Sequence, residues 1–507
     1  MKQTLSNYIW SMISIIIIFI MIIVSTPFAK YVSDGIVNSV DAFYTAVLFR
    51  LNDGYKEVIQ NKDWDYKIVG VTTPLNSSCT TVTYNEYLDM QNIPHENEND
   101  NNPDNTDNTE KYAIAISLTK YTGKSHRVIV PNLYEDNGKV FVVTSVGIPT
   151  EENKTELDHH DDNEPRANIL GDNTGKIASV IVSQGVDINP YAFHNCNSLN
   201  TLILTNTNLI SNYAFSSCSK LVNVSLGDNT SIVGDYAFAN CENLKELDFG
   251  EKLTGIGKSA FYNCVSLESV RFSSSLSSID DSAFIGCTAL SKANFENTNI
   301  TYIGNSAFKN CTSLEGSLRL PSTLTVIEKE AFYNCKGLNG TLYLPDNIDY
   351  IYDSAFENCS FIKTDFTNLK SLSVIGKSAF KNCKNMSFAL VAPASLMYIG
   401  EEAFSGCYKC SDVILNEGLI GAGNNAFSGI TKKTRSPLII PSTCQYLSGK
   451  LKYQDDANKT PIFTPPSVNY FKINGVSQFI IANGNTSFKV ENNTLYTVDG
   501  RIVSAYT

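Results

Sequence analysis

Thirteen cysteines and five histidines are the residues of this 507-residue chain best equipped for chemistry. Ten thiols recur in one phrase, Ala-Phe-x-x-Cys: Cys196, Cys218, Cys241, Cys264, Cys287, Cys311, Cys335, Cys359, Cys383 and Cys407. Thiols in such register could ligate metals or pair as disulfides. One Cys per repeat, however, lacks the paired C-x-x-C spacing of a zinc site. Stacked strands hold equivalent side chains about 4.7–4.9 Å apart, whereas a disulfide wants Cβ atoms near about 3.8 Å and suitably angled. The expected state is therefore a ladder of buried thiols acting as small hydrophobes. Cys410 supports this, because it falls three residues after Cys407, where other repeats carry Leu267, Leu290, Ile362 or Met386.

Two other clusters could bind cations. Asp100, Asn102 and Asp104 have the opening spacing of an EF-hand loop, but Asn105 stands where the turn wants Gly and Lys111 where a bidentate Glu is required. His159 and His160 lie among carboxylates, yet adjacent histidines do not converge on one metal as an i, i+4 pair does. No metal or cofactor is expected. No G-x-S-x-G, H-E-x-x-H, P-loop or dinucleotide fingerprint appears. Enzyme function is not expected, although an unrecognised site stays as a remote alternative.

The elements that must position the thiols are set by the phrase that contains them. Its eleven Phe residues are Phe193, Phe215, Phe238, Phe261, Phe284, Phe308, Phe332, Phe356, Phe380, Phe404 and Phe427, spaced 22 to 24 apart. Together with the thiols they form the expected structural core of a solenoid. In the specimen LTGIGKSAFYNCVSLESVRF (residues 253–272), Val270-Arg271-Phe272 alternates like a half-buried strand. Leu253-x-x-Ile256-Gly257 is a second extended piece, and residues 258–263 have room for about one helical turn. The residue before each Cys is Asn, Ser or Gly, suited to a left-handed stop that swings the chain into the next strand.

The phrase CTSLEGSLRLPSTLTVIEKEAF (residues 311–332) resembles the BspA-like class of leucine-rich repeats, and such phrases cover about half the chain. The resemblance implies a right-handed leucine-rich-repeat solenoid, mainly β, with a parallel strand per coil and short extended and helical turns. It also implies a surface or secreted binding protein, some relatives being adhesins for host matrix proteins or other microbes.

Outside the repeats, residues 1–30 read as a membrane anchor or signal sequence, because residues 9–24 are almost wholly apolar behind Lys2. Thr26-Pro27-Phe28-Ala29 is a poor cleavage site, which favours an uncleaved anchor. Residues 31–60 suggest an amphipathic helix, 61–111 a polar acidic linker, and 112–175 a degenerate cap coil with an acidic insertion. Val143 and Val146-Gly147 stand there in place of the Leu-x-x-Ile-Gly phrase. The solenoid proper is expected over 176–430 and a C-terminal coil with a β cap over 431–507.

With 39 basic against 51 acidic residues the net charge is −12, which argues against a nucleic-acid partner. The outward strand positions should form a row of rungs, Ile203, Ser225, Asp248, Arg271, Asn294, Arg319, Tyr343, Thr367, Val391 and Ile414. Of these, Asp248, Arg271, Asn294, Arg319, Tyr343, Val391 and Ile414 are the candidate contacts for an extracellular protein or glycan ligand. Two readings follow: an exported binding protein presenting this face, or a structural component using the solenoid as a rigid spacer.

Overall fold

The computed structural model describes residues 63 to 505, apart from 73, 75–78, 83–111, 149–167, 434–435, 454–460, 465–470, 472 and 475. The apolar segment, the amphipathic helix, the Asp100 cluster and the His159-His160 pair lie outside the described residues.

The repeats build a mainly β, parallel solenoid of about 13 turns. Each coil supplies two short strands to two ladders. The return ladder stacks Leu209–Ile210, Ile232–Val233, Gly255–Ile256, Ser278–Ile279 and Tyr302–Ile303 in parallel register, so the Ile or Val of each Leu-x-x-Ile phrase sits over its counterpart. The front ladder carries the alternating strands, such as Glu246–Asp248, Ser269–Arg271 and Lys292–Asn294. Gly257 is required in its return strand: an added Cβ would lie 2.5 Å from Asp235 Oδ1 and 2.8 Å from Asp235 N in the preceding coil.

The third side of each coil corrects the expected helical turn. Gly171–Asn173 is a 3-10 turn, and no α-helix occurs among the described residues. In residues 259–263 the N–H groups alternate. Those of Ser259, Phe261 and Asn263 donate to Asp281, Ala283 and Ile285 of the next coil at 2.8–2.9 Å, while Ala260 and Tyr262 donate three residues back within their own coil. A helix would spend every one of these donors locally. Here three of the five tie coil to coil, forming a third inter-coil ladder.

Two left-handed residues per coil make this possible. The expected one precedes each Cys, with Asn263 at φ 58° and Asn334 at φ 63°. The unexpected one precedes each Ala: Tyr213, Tyr236, Ser282, Glu330 and their equivalents adopt φ between 51° and 59°. A non-glycine residue costs about 1–2 kcal/mol in this conformation, which the inter-coil hydrogen bonds and the buried Phe offset.

The eleven Phe side chains stack as one column. Successive centroids lie 5.1–6.1 Å apart with ring planes within 21°, and every ring is buried. Phe471 closes the column by meeting Phe427 edge-on at 6.1 Å. Beside the rings runs the thiol ladder. From Cys218 to Cys407 each Sγ donates to the carbonyl of the Phe one coil earlier, at 3.1–3.3 Å. Burial pushes the Cys287 thiol up to about 12, so it stays protonated and inert in the folded chain. Cys therefore serves as both hydrophobe and donor, a role that Leu could not fill.

The N-terminal end differs from the expected boundary. Trp64–Thr72 falls within the stretch expected as linker, yet it pairs antiparallel with Tyr112–Tyr121 and packs Trp64 edge-on against Tyr121 at 5.0 Å. Its alternating apolar residues need a partner sheet, and Tyr112–Tyr121 supplies one. Lys139–Val146 then aligns Val146 with Ile188, the position expected of a first coil. At the far end, Phe479–Ile481 adds a last rung to Leu438–Ile440. Beyond it a meander of Phe488–Glu491, Thr494–Thr497 and Ile502–Ala505 turns at Asn492-Asn493, both at positive φ, as tight hairpin turns require.

Candidate binding face

The front strands, paired in separate runs of two to four, turn their outward side chains to one face because strand residues alternate between core and solvent. Backbone pairing puts Asp248, Arg271 and Asn294 on adjacent rungs, and likewise Arg319 with Tyr343 and Val391 with Ile414. Arg271 and Asp248 form an exposed ion pair. Arg319 places its guanidinium 4.0 Å from the centre of the Tyr343 ring and its Nε 3.3 Å from Glu296 Oε1. The stacked guanidinium and the half-open ring, 42% exposed, are held in place before any partner arrives.

One expected rung is elsewhere. Leu342 pairs with Thr364, so the rung beside Tyr343 is Asp365 and not Thr367. The cause lies one turn earlier. Phe361 is buried where other coils use the third residue after Cys, and Ile362 is turned outward, 49% exposed. The path from Cys359 to the strand is thereby one residue shorter than that from Cys264 to Val270. Thr367 instead caps its neighbour: its hydroxyl and N–H donate to Asp365 Oδ1 at 2.6 and 2.9 Å, which hold that carboxyl below the usual carboxylate range.

Toward the C-terminal end the row becomes apolar and extends further than the sequence reading placed it. Ile414, Ile439 and Ile480 are 45%, 53% and 38% exposed, with Ile439 and Ile480 directly paired. Val391 is half-buried and, with Pro393, Ile414 and Leu415, lines a small apolar cavity that reaches in to the core residues Phe404 and Phe427. Ile439 was detectable from the alternation in Leu438-Ile439-Ile440. Ile480 was hidden because its strand is separated from Leu438–Ile440 by a long excursion, the hairpin Lys450–Tyr453 with Pro461–Thr464.

Of the described histidines, His126 and His194, neither is paired with a nucleophile. His126 Nδ1 lies 2.9 Å from the Lys176 carbonyl, and His194 sits edge-on to Tyr191 with its Nε2 2.8 Å from Asn195 Nδ2. Among the described residues no three His, Cys, Asp or Glu side chains form a metal site, and no helix is long and apolar enough to cross a membrane.

A profile of the BspA type leucine-rich repeat region matches residues 186–315, 301–434 and 373–490, more than half of the chain, in six copies. The chain belongs to this family. No curated protein matches it in sequence. The BspA-type solenoid is similar to a leucine-rich cell surface protein from Faecalibacterium prausnitzii A2-165, at 21% identity over 68% of this chain and 92% of that one, TM-score 0.38. A leucine-rich repeat protein from Bacteroides ovatus ATCC 8483 is 20% identical over 66% of this chain and 96% of that one, TM-score 0.37. The pneumococcal vaccine antigen PcpA is 15% identical over 78% of this chain and 94% of that one, TM-score 0.34. In BspA-type terms, the conserved-looking phrase supplies the scaffold, while the front rungs differ from coil to coil.

Proposed function

We propose that this BspA-type protein is exported and held at a cell surface, where its front ladder binds a protein or glycan partner in the manner of an adhesin. The reading is carried by the row itself. It runs from paired charges through a pre-stacked Arg319 and Tyr343 into the aliphatic rungs Val391, Ile414, Ile439 and Ile480. Arg and Tyr are the side chains that dominate binding hot spots, and contiguous exposed aliphatics mark contact surfaces. Export and anchorage are supported by the apolar run at residues 9–24.

The test is a binding screen of residues 60–507 against matrix proteins, glycans and microbial surfaces, followed by the double variant Arg319→Ala/Tyr343→Ala. Affinity for the partner should fall at least tenfold while the melting temperature stays within a few degrees. Unchanged affinity in the folded double variant would remove the front ladder from the binding role.

A further inference from the structure

We propose that Cys407 and Cys410 are a dithiol pair that closes to a disulfide when the chain folds in the presence of a disulfide oxidant. The other coils of the thiol ladder carry an aliphatic or aromatic residue where this one carries Cys410, so only here does the interior hold two thiols within one turn. Cys410 N donates to Cys407 O at 3.1 Å, closing that turn. Chain ends joined by such a turn lie within about 7 Å at Cα, overlapping the roughly 4.4–6.8 Å that a disulfide spans. Both side chains are fully buried.

The surroundings divide the roles. Cys407 donates to the Phe380 carbonyl at 3.2 Å, like the thiols before it. The next coil offers Ile430 at the Cys position, so no further sulfur stacks beyond Cys407. The Cys407 thiol acts most strongly on Cys410 and draws it down, burial opposes that, and the Lys433 charge adds a smaller downward pull that leaves it below the ordinary thiol value. Lys433 is anchored there by its N–H to Ser411 O at 2.9 Å. Elsewhere in the ladder burial wins over any such pull, as at Cys287. Cys410 is therefore the attacking thiolate.

The exchange balances with a small disulfide such as oxidised glutathione. The Cys410 thiolate attacks one glutathione sulfur and expels the other glutathione as a thiolate. Cys407, after losing its proton, attacks the Cys410 sulfur of the mixed disulfide and expels the second glutathione. The two protons released by the protein end on the two glutathione thiols, and the oxidant gains two electrons. Because both sulfurs are buried once the coil is closed, the reaction belongs to the last stage of folding, as the Phe427 coil brings Lys433 over this turn.

The test is refolding of residues 60–507 from denaturant in a glutathione redox buffer at pH 8, followed by intact mass and thiol counting under denaturing conditions. Trypsin cuts after Lys409, between the two cysteines, so the expected product is one disulfide-linked pair of tryptic peptides. The mass should be about 2 Da below that of the reduced chain, two thiols should be lost from the count, and excess dithiothreitol should reverse both. Cys410→Leu restores the residue most other coils use and should fold without any mass loss. A full complement of thirteen thiols after oxidative refolding, or a linkage that joins Cys196 to Cys218 instead, would overturn the proposal.

Discussion

Lys432 Nζ lies 2.6 Å from Asp412 Oδ1, with the lysine side chain 2% and the aspartate 11% exposed. The ammonium also donates to the Val413 and Pro437 carbonyls at 3.2 Å each. All three of its protons are therefore engaged, and the pair pins the chain after the last Ala-Phe phrase to the front strand Asp412–Ile414. Removing one partner of a buried pair leaves an uncompensated charge. Lys432→Met should cost about 3–5 kcal/mol, seen as a lowered denaturation midpoint, and adding Asp412→Leu should restore most of it. Equal loss in the single and double variants would show that packing, and not charge compensation, holds this junction.

The close approach at Gly257 gives a second expectation. A Cβ there meets backbone and side-chain atoms of Asp235 and Gly234 within 2.8 Å. These atoms belong to a neighbouring coil and cannot swing aside, so Gly257→Ala should destabilise by about 1–3 kcal/mol or more. Gly138 serves as the control, since nothing lies within 4 Å of its Cβ position, although its φ of 77° adds strain of its own. A chemical denaturation series of the two variants separates crowding from backbone strain.

The left-handed residue before each Ala predicts an unusual tolerance. Ser282 sits at φ 59°, where glycine is unstrained and β-branched residues are outliers. Ser282→Gly should leave stability within about 0.5 kcal/mol, because relief of strain offsets the freer unfolded chain. Ser282→Val should cost about 1–2 kcal/mol more than the glycine variant. Thermal melts of the pair decide it, and a valine variant as stable as wild type would sink the claim.

His194 supplies a pH dependence. Burial holds its pKa below the ordinary histidine value, against a smaller upward pull from the Ser216 backbone. The unfolded chain therefore takes up a proton at higher pH than the folded one, so its contribution is complete above the unfolded value of about 6.5 and is lost as pH falls below it. The melting temperature should drop on going from pH 7.5 to pH 5.5, and His194→Gln should flatten part of that drop. Parallel slopes for the two proteins would assign the acid sensitivity to other groups.

The core could be read from the sequence because one interior solution is written out again in every coil. The Phe column, the Asn or Gly stop before Cys and the alignment of Val146 with Ile188 all follow from that repetition. The path between those fixed points could not be read in the same way. A short run such as Ser259-Ala260-Phe261-Tyr262 has helix-compatible residues, and local propensity gives no warning that Ser259 is left-handed and donates to another coil. The Thr367 rung failed for a related reason: Phe361 replaces the usual leucine one position early, and burial volume, not counting, set the register. Trp64–Thr72 does not stand out in the sequence because its own alternation is brief and its partner strand begins only at Tyr112.

The sulfur-to-carbonyl bonds have an evolutionary corollary. Each one joins a period to the period before it through the same pair of atoms, so a duplication or excision of 23 or 24 codons, whose joints fall at equivalent positions, regenerates every bond across the new seam. Unequal recombination within this gene would therefore lengthen or shorten the solenoid by about 4.8 Å per event.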